Sequence, residues 1–236
     1  MRVPLSAVVQ TFPTKPVRIT TPFPMGSGPE GVLRLLAEKL AHLSQPVTVE
    51  YKPGGNGFIA INAFKGMATD GHELLQLDNV HLTAYPHLFK KLPYDPVKDF
   101  EPIAPPFKAY FFTTLPVNSK YKNMADLIAD AKANPGNLNY GSWSIGDPVH
   151  LGSARLAIAS GTDMAHVVYT ETSQLYIGVA TGDLAFALGN NATAGSLQGA
   201  GKIKFLAVAA TKRLAACPDV PTFAESGGPK DFEVTG

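Results

Sequence analysis

Two short stretches of this sequence carry residue types and spacings that could do chemistry. The first is Gly26-Ser27-Gly28-Pro29-Glu30-Gly31, a G-x-G-x-x-G run directly after an expected strand and at the start of an expected helix. Glu50 ends the next expected strand about twenty residues later, where a dinucleotide site places its ribose-binding acid. On the motif alone, the chain could be an NAD-dependent oxidoreductase using the Gly26–Gly31 loop. Pro22 and Pro24 stretch the approach to that loop and Pro29 interrupts it, which departs from the tight fingerprint. The physics beneath the motif holds for other ligands. A glycine-rich loop feeding a helix N-terminus presents free backbone N–H groups and the positive end of the helix dipole, which suit a carboxylate as well as a phosphate. A plain tight strand–helix turn is the bland alternative.

The second stretch is Ser142-Trp143-Ser144-Ile145-Gly146, with His150 close behind. It nearly matches the G-x-S-x-G nucleophile elbow of acyl hydrolases, with Ser144 as the nucleophile. The first glycine is absent, however, and hydrolase triads carry their histidine far downstream, after the acid. His150 therefore reads as a packing residue. No His/Cys/carboxylate cluster has metal-ligand spacing, and Cys217 is the single cysteine, so no disulfide within the chain, no metal and no cofactor is expected.

The elements that must position these loops follow from periodicity and punctuation. Val17–Thr21, Pro46–Tyr51 and Leu74–Leu77 read as strands. Helical spacing of Val32, Leu35, Leu36, Leu40 and Leu43 predicts a helix over 31–43. The loop Pro53-Gly-Gly-Asn-Gly57 opens another helix, running to about Met67. Strand–helix alternation of this kind implies a parallel sheet covered on both faces. Prolines then crowd residues 93–116, and the extended stretches Phe100–Ala104 and Ala109–Thr114 read as connections between two lobes. Alternation resumes with helices over Met124–Ala133 and Pro148–Ser160. Strands are expected at Leu138–Tyr140, Ala165–Tyr169, Leu184–Leu188 and Ile203–Ala209.

Bulk composition narrows the function. The chain of 236 residues is 45% hydrophobic, with a net charge of +1. A core is affordable, and no basic stripe marks a nucleic-acid binder. No apolar run is long enough to span a membrane. Met1-Arg2 followed by the apolar run Val3–Val9 sits at the lower limit for a signal-peptide core and reads as an ordinary tail or a truncated leader.

Several segments together resemble the periplasmic receptors of tripartite tricarboxylate transporters, the Bug family. They include Phe12–Arg18, Pro22-Phe-Pro24 with its glycine loop, Leu35–Leu40, Pro86–Phe100, Ala133–Ser142, His150-Leu151, Leu206–Val208 and Pro218–Ser226. The runs Lys90-Lys-Leu-Pro-Tyr-Asp-Pro96 and Asn134-Pro-Gly-Asn-Leu-Asn-Tyr-Gly-Ser142 are the most specific. The resemblance implies an α/β, two-lobed, type 2 periplasmic-binding-protein fold that closes on its ligand, a Venus flytrap. It also implies that the C-terminal part of the first lobe is missing here. Residues 13–115 would begin lobe 1, 116–210 would form lobe 2, and 211–236 would return to lobe 1. The function implied is capture of a small organic (di)carboxylate in the periplasm and delivery to membrane transporter subunits, by a monomer without catalysis.

In such receptors the ligand carboxylates sit on two strand-to-helix loops. The first maps to Pro24–Gly28, so Met25, Gly26 and Ser27 become candidate contacts. The second maps to Tyr140–Asp147, with Ser142, Trp143, Ser144 and Gly146. Thr170, Thr172, Asn190 and Asn79 follow predicted strands at their C-terminal ends, where open α/β sheets bind ligands. Helix capping is the competing role for the serines, and packing for Trp143. Glu30, Asp147 and Glu171 depart from the common pattern. They would repel a carboxylate unless they point away or, as Glu30 and Asp147 can, cap helix N-termini; facing the cleft, they would call for a ligand with a cationic group, as an amino acid has.

Overall fold

The computed structural model describes residues 12–25 and 27–236. The expectation for Met1–Val9 and the candidate Gly26 lie outside the described residues. The chain divides into two compact units. One holds the chain up to Leu77 together with Lys91–Pro106, and the other holds Asp78–Lys90 with Phe107–Gly236.

The first unit is built on three parallel strands, β1 (Val17–Thr21), β2 (Val47–Tyr51) and β3 (Glu73–Leu75), in the order β2-β1-β3. Central β1 buries every residue but Arg18, as a strand covered on both faces should. Arg18 is registered opposite Glu73 and bonds its carboxylate through Nε at 2.9 Å and Nη2 at 2.7 Å.

Helix α1 spans Gly28–Lys39, beginning three residues before the expected 31 and passing into a 3₁₀ turn at Leu40–His42. Pro29 explains the early start, since proline suits the first helical turn. The inward residue is Leu33, 3% exposed, whereas Leu35 and Leu36 face outward. The periodicity located the helix but assigned the wrong face to those two leucines. Helix α2 (Phe58–Lys65) is entered through Gly54, Gly55, Asn56 and Gly57, all with positive φ between 53° and 104°. Only glycine and asparagine adopt that conformation cheaply, which accounts for this run of residue types.

The second unit carries a five-stranded sheet. Its strands are β4 (Phe112–Pro116), β5 (Asn139–Ser142), β6 (Ala165–Val168), β7 (Phe186–Gly189) and β8 (Ile203–Val208), in the order β6-β5-β7-β4-β8. Strands β5, β6 and β7 are parallel, while β4 runs antiparallel to both β7 and β8. The stretch Ala109–Thr114, expected to be a mere connection, therefore leads into a buried strand near the middle of the sheet.

Six helices accompany these strands: α3 (Asn79–Thr83), α4 (Tyr85–Leu88), α5 (Met124–Ala133), α6 (Pro148–Ser160), α7 (Thr172–Thr181) and α8 (Asn191–Gly199). Leu127, Val149, Leu156, Phe186, Leu188 and Phe223 share one core. The tail packs here too. Ala109 and Gly236 exchange backbone bonds at 2.9 and 3.1 Å, and Thr222 pairs with Val208. Residues 211–236, expected in the first lobe, thus pair within the second unit. Among the described residues no helix is long and apolar enough to cross a membrane.

Candidate functional site

In the first unit the C-terminal strand ends are tied to the first turn of α1. Thr21 Oγ1 donates to Gln76 Oε1 at 2.8 Å and accepts the Phe23 amide at 3.2 Å. Gln76 Nε2 in turn donates to the Pro29 carbonyl at 3.1 Å. Both side chains are buried, so these bonds are shielded from water and hold the helix start against the sheet. From β2, the Tyr51 hydroxyl donates to Glu30 Oε1 at 2.9 Å. That bond leads in raising the Tyr51 pKa, with burial next. Glu30 is buried in the first helical turn, and Arg34 reaches it at 3.4 Å. A carboxylate there complements the helix dipole.

Ser27 occupies the N-cap position of α1 with extended φ and ψ, yet its side chain makes no capping bond. Its Oγ is buried and has no hydrogen-bond partner among the described residues. A buried hydroxyl in that state is a donor awaiting an acceptor. Met25 beside it is 74% exposed. Glu50, the would-be ribose acid, is instead held by Lys52 at 2.9 Å and approached by Arg18 at 3.7 Å.

In the second unit, the loop after β5 folds back on itself. Ser142 is fully buried, and its hydroxyl meets the Ser144 carbonyl at 3.0 Å and His166 Nε2 at 2.7 Å. Asp147 caps α6, accepting the His150 amide at 2.8 Å and the Ser144 amide at 2.6 Å. Burial raises its pKa to about 6, against the lowering effect of those amides. Gly146, at φ 93°, gives its amide to His150 Nδ1 at 3.1 Å. The His150 and His166 rings lie 4.3 Å apart, and burial pushes both pKa values down.

Strand pairing sets the neighbours of this loop. The Tyr169 amide bonds the Ser142 carbonyl at 2.9 Å, which brings exposed Thr170 alongside. Thr172 opens α7, whose N-cap residue Glu171 is exposed and makes no side-chain cap bond. Asn190 follows β7 and is committed to a capping box with Thr193. Trp143 is half-buried against two core clusters. Asn79 donates to the Thr235 carbonyl at 3.2 Å and thereby fastens the tail.

The two serines did not turn out alike. Ser144 shows no bond to His150, whose Nδ1 serves Gly146. The serine that does meet a histidine is Ser142, which is fully buried. Sequence reading missed Thr21, Gln76, Tyr51 and His166. Gln76 had left a trace, as a polar residue near the end of an apolar strand. His166 had left less, one polar residue in a short strand.

Comparison with known proteins gives this arrangement its family. The model described as tripartite tricarboxylate transporter family receptor matches residues 32–235. A UPF0065 protein of Bordetella pertussis is 33% identical over 227 residues, covering 94% of this chain and 69% of that protein. Among solved structures, an R. palustris protein with adipate is 27% identical at TM-score 0.82, covering 95% of this chain and 75% of that one. MatC from Rhodopseudomonas palustris with bound malate is also 27% identical, at TM-score 0.80, covering 95% and 78%. The α/β fold is that of the periplasmic solute-binding proteins. The family match points away from the nicotinamide alternative, and Glu50 is ion-paired. From the family match and from the fold together, the chain belongs to the tripartite tricarboxylate transporter receptor family.

Proposed function

We propose that this chain is a periplasmic, monomeric receptor that captures a small organic carboxylate and delivers it to the membrane subunits of a tripartite tricarboxylate-type transporter. The observation that carries the reading is the Ser27 hydroxyl, buried at the N-terminus of α1 and without a hydrogen-bond partner among the described residues. A ligand carboxylate there would accept from that hydroxyl, with the positive end of the helix dipole adding to the attraction. The family membership supports a carboxylate ligand, as do the adipate and malate held by the R. palustris relatives.

On this reading Met25, Gly26 and Ser27 contact ligand from the first loop. Ser142, Trp143, Ser144, Gly146, Thr170, Thr172 and Asn190 do so from the second loop and its neighbours, and Asn79 is the weakest candidate. The receptor is read as catalytically inert, because the His150 Nδ1 that a nucleophilic Ser144 would need is engaged by the Gly146 amide.

A thermal-shift screen of the purified chain tests the proposal with aliphatic and aromatic mono- and dicarboxylates, acidic amino acids and NAD(H). A ligand at a hundred times its dissociation constant stabilises the fold by about 2.7 kcal/mol. A raised melting temperature with one of the carboxylates is the expected result. Stabilisation by NAD(H) alone would sink the receptor reading.

A further inference from the structure

The donors at the start of α6 are already taken from within the chain. The Asp147 carboxylate holds the Ser144 amide at 2.6 Å and the His150 amide at 2.8 Å, and the residue is only 3% exposed. The Gly146 amide serves His150 Nδ1, and the Ser142 hydroxyl is engaged by the Ser144 carbonyl and His166. A ligand carboxylate arriving at this loop would find those donors occupied and a negative charge beneath the position it needs.

No cation is seen to offset that charge among the described residues: burial, backbone amides and the Ser142 hydroxyl act on Asp147, and no Lys or Arg is paired with it. The two imidazoles that face the loop are His150 and His166. Burial holds both below the ordinary histidine value, so both are neutral at alkaline pH. Within the loop the exposed side chain is apolar, while exposed Thr170 lies alongside. Ile145 is 64% exposed, and Leu88 of α4 is 45% exposed. Leu88 lies against Gly146 so closely that a Cβ there would come within 3.1 Å of its Cδ1.

We propose that Asp147 is a specificity-determining residue: by occupying the α6 N-terminus as an internal anion, it restricts the second loop to an uncharged, apolar part of the solute, which makes the solute a monocarboxylate with a hydrocarbon body. The inference rests on the receptor reading above and narrows its ligand class. A second carboxylate brought within a few ångströms of Asp147 meets like-charge repulsion in a partly desolvated setting. An alkyl or aryl group there meets Ile145 and Leu88 instead.

Isothermal titration at pH 8 with matched probes reads the preference directly: hexanoate against adipate, and benzoate against terephthalate. In the wild-type chain at least one monoacid binds, and about tenfold or more tightly than its diacid. Asp147→Ser keeps an N-cap oxygen but loses the charge. In that variant the gap closes through a gain in diacid affinity. A diacid that binds the wild-type chain as tightly as its monoacid overturns the inference and leaves the receptor reading standing. Failure of all four probes and of the wider acid screen, on a chain shown folded by circular dichroism, overturns both. The wild-type comparison decides the matter by itself should the variant fail to fold.

Discussion

His166 Nε2 lies 2.7 Å from Ser142 Oγ, across the parallel pairing of β5 with β6. His166 is registered opposite Tyr140 and stacks on it at 5.0 Å, then reaches forward to the residue two positions on. Because side chains alternate along a strand, Tyr140 and Ser142 share a face. With the Ser142 proton directed at the Ser144 carbonyl, His166 donates from Nε2. Ser142→Ala would leave both partners unpaired in a buried setting, at a cost of about 1–3 kcal/mol. Thermal denaturation should register that as a clear fall in melting temperature. An unchanged value would mean that the bond contributes little to holding the loop.

Ser27 makes the opposite prediction. Its hydroxyl makes no cap bond and has no partner among the described residues, so Ser27→Ala should alter stability by less than about 0.5 kcal/mol, as an uninvolved position does. The same variant should lose most of the carboxylate-induced thermal shift. A variant that loses stability but keeps the shift would assign the hydroxyl to the fold and remove it from the site.

Two glycines separate packing from propensity. A Cβ on Gly141 would fall 2.4 Å from Leu175 Cδ1 and 2.5 Å from Leu184 Cδ1. Gly141→Ala should therefore cost about 1–3 kcal/mol through overpacking. Gly31 lies within α1, where a Cβ meets nothing within 4 Å. Gly31→Ala should stabilise by about 0.5–1 kcal/mol, the helix-propensity difference. Urea denaturation of both variants checks the two signs.

The buried imidazoles give stability a pH dependence with a defined sign. Burial lowers the pKa of His150 and His166 from 6.5, and for His166 the neighbouring His150 adds to the effect. As pH falls through 6.5 the unfolded chain takes up protons first, so stability is lost until the lower folded values are reached. Asp147 works in reverse. Its pKa is raised from 3.8 to about 6, so between those values the folded chain takes up the proton first, and stability recovers as pH falls. His166→Phe keeps an aromatic ring against Tyr140 but removes one imidazole. Its fall in melting temperature from pH 7 to pH 6 should be smaller than that of the wild-type chain. An equal or larger fall would show that His166 does not drive the acid-side loss.

Local signals made much of the fold legible. Pro148 at the first helical turn, Asp147 before it and Gly161 after it delimit α6 at the residues expected from sequence. The run Val17–Thr21, β-branched and ended by Pro22, forms β1 as expected. The loop Gly54–Gly57 needs positive φ, and its composition said so. The glycine loop before α1 and the serine-rich loop before α6 were also visible, because strand-to-helix turns declare themselves in residue type. The family runs placed the chain among receptors without any structure.

What escaped depended on partners distant in sequence. Residues Phe112–Pro116 become a strand because they pair antiparallel with β7 and β8, some seventy to ninety-odd residues further along the chain. The outward turn of Leu35 and Leu36 follows from which side of α1 meets the sheet, which periodicity alone left open. Gln76 reaches Pro29 across 47 positions, and His166 reaches Ser142 across 24. The sequence by itself determined the element types, the two loops and the family, since propensity, turn chemistry and motif are local properties. Only the tertiary structure decided that the Ser27 hydroxyl stays unpaired among the described residues while the donors of the second loop are satisfied by Asp147 and His150. A donor is left free or engaged according to what the fold brings within about 3 Å of it.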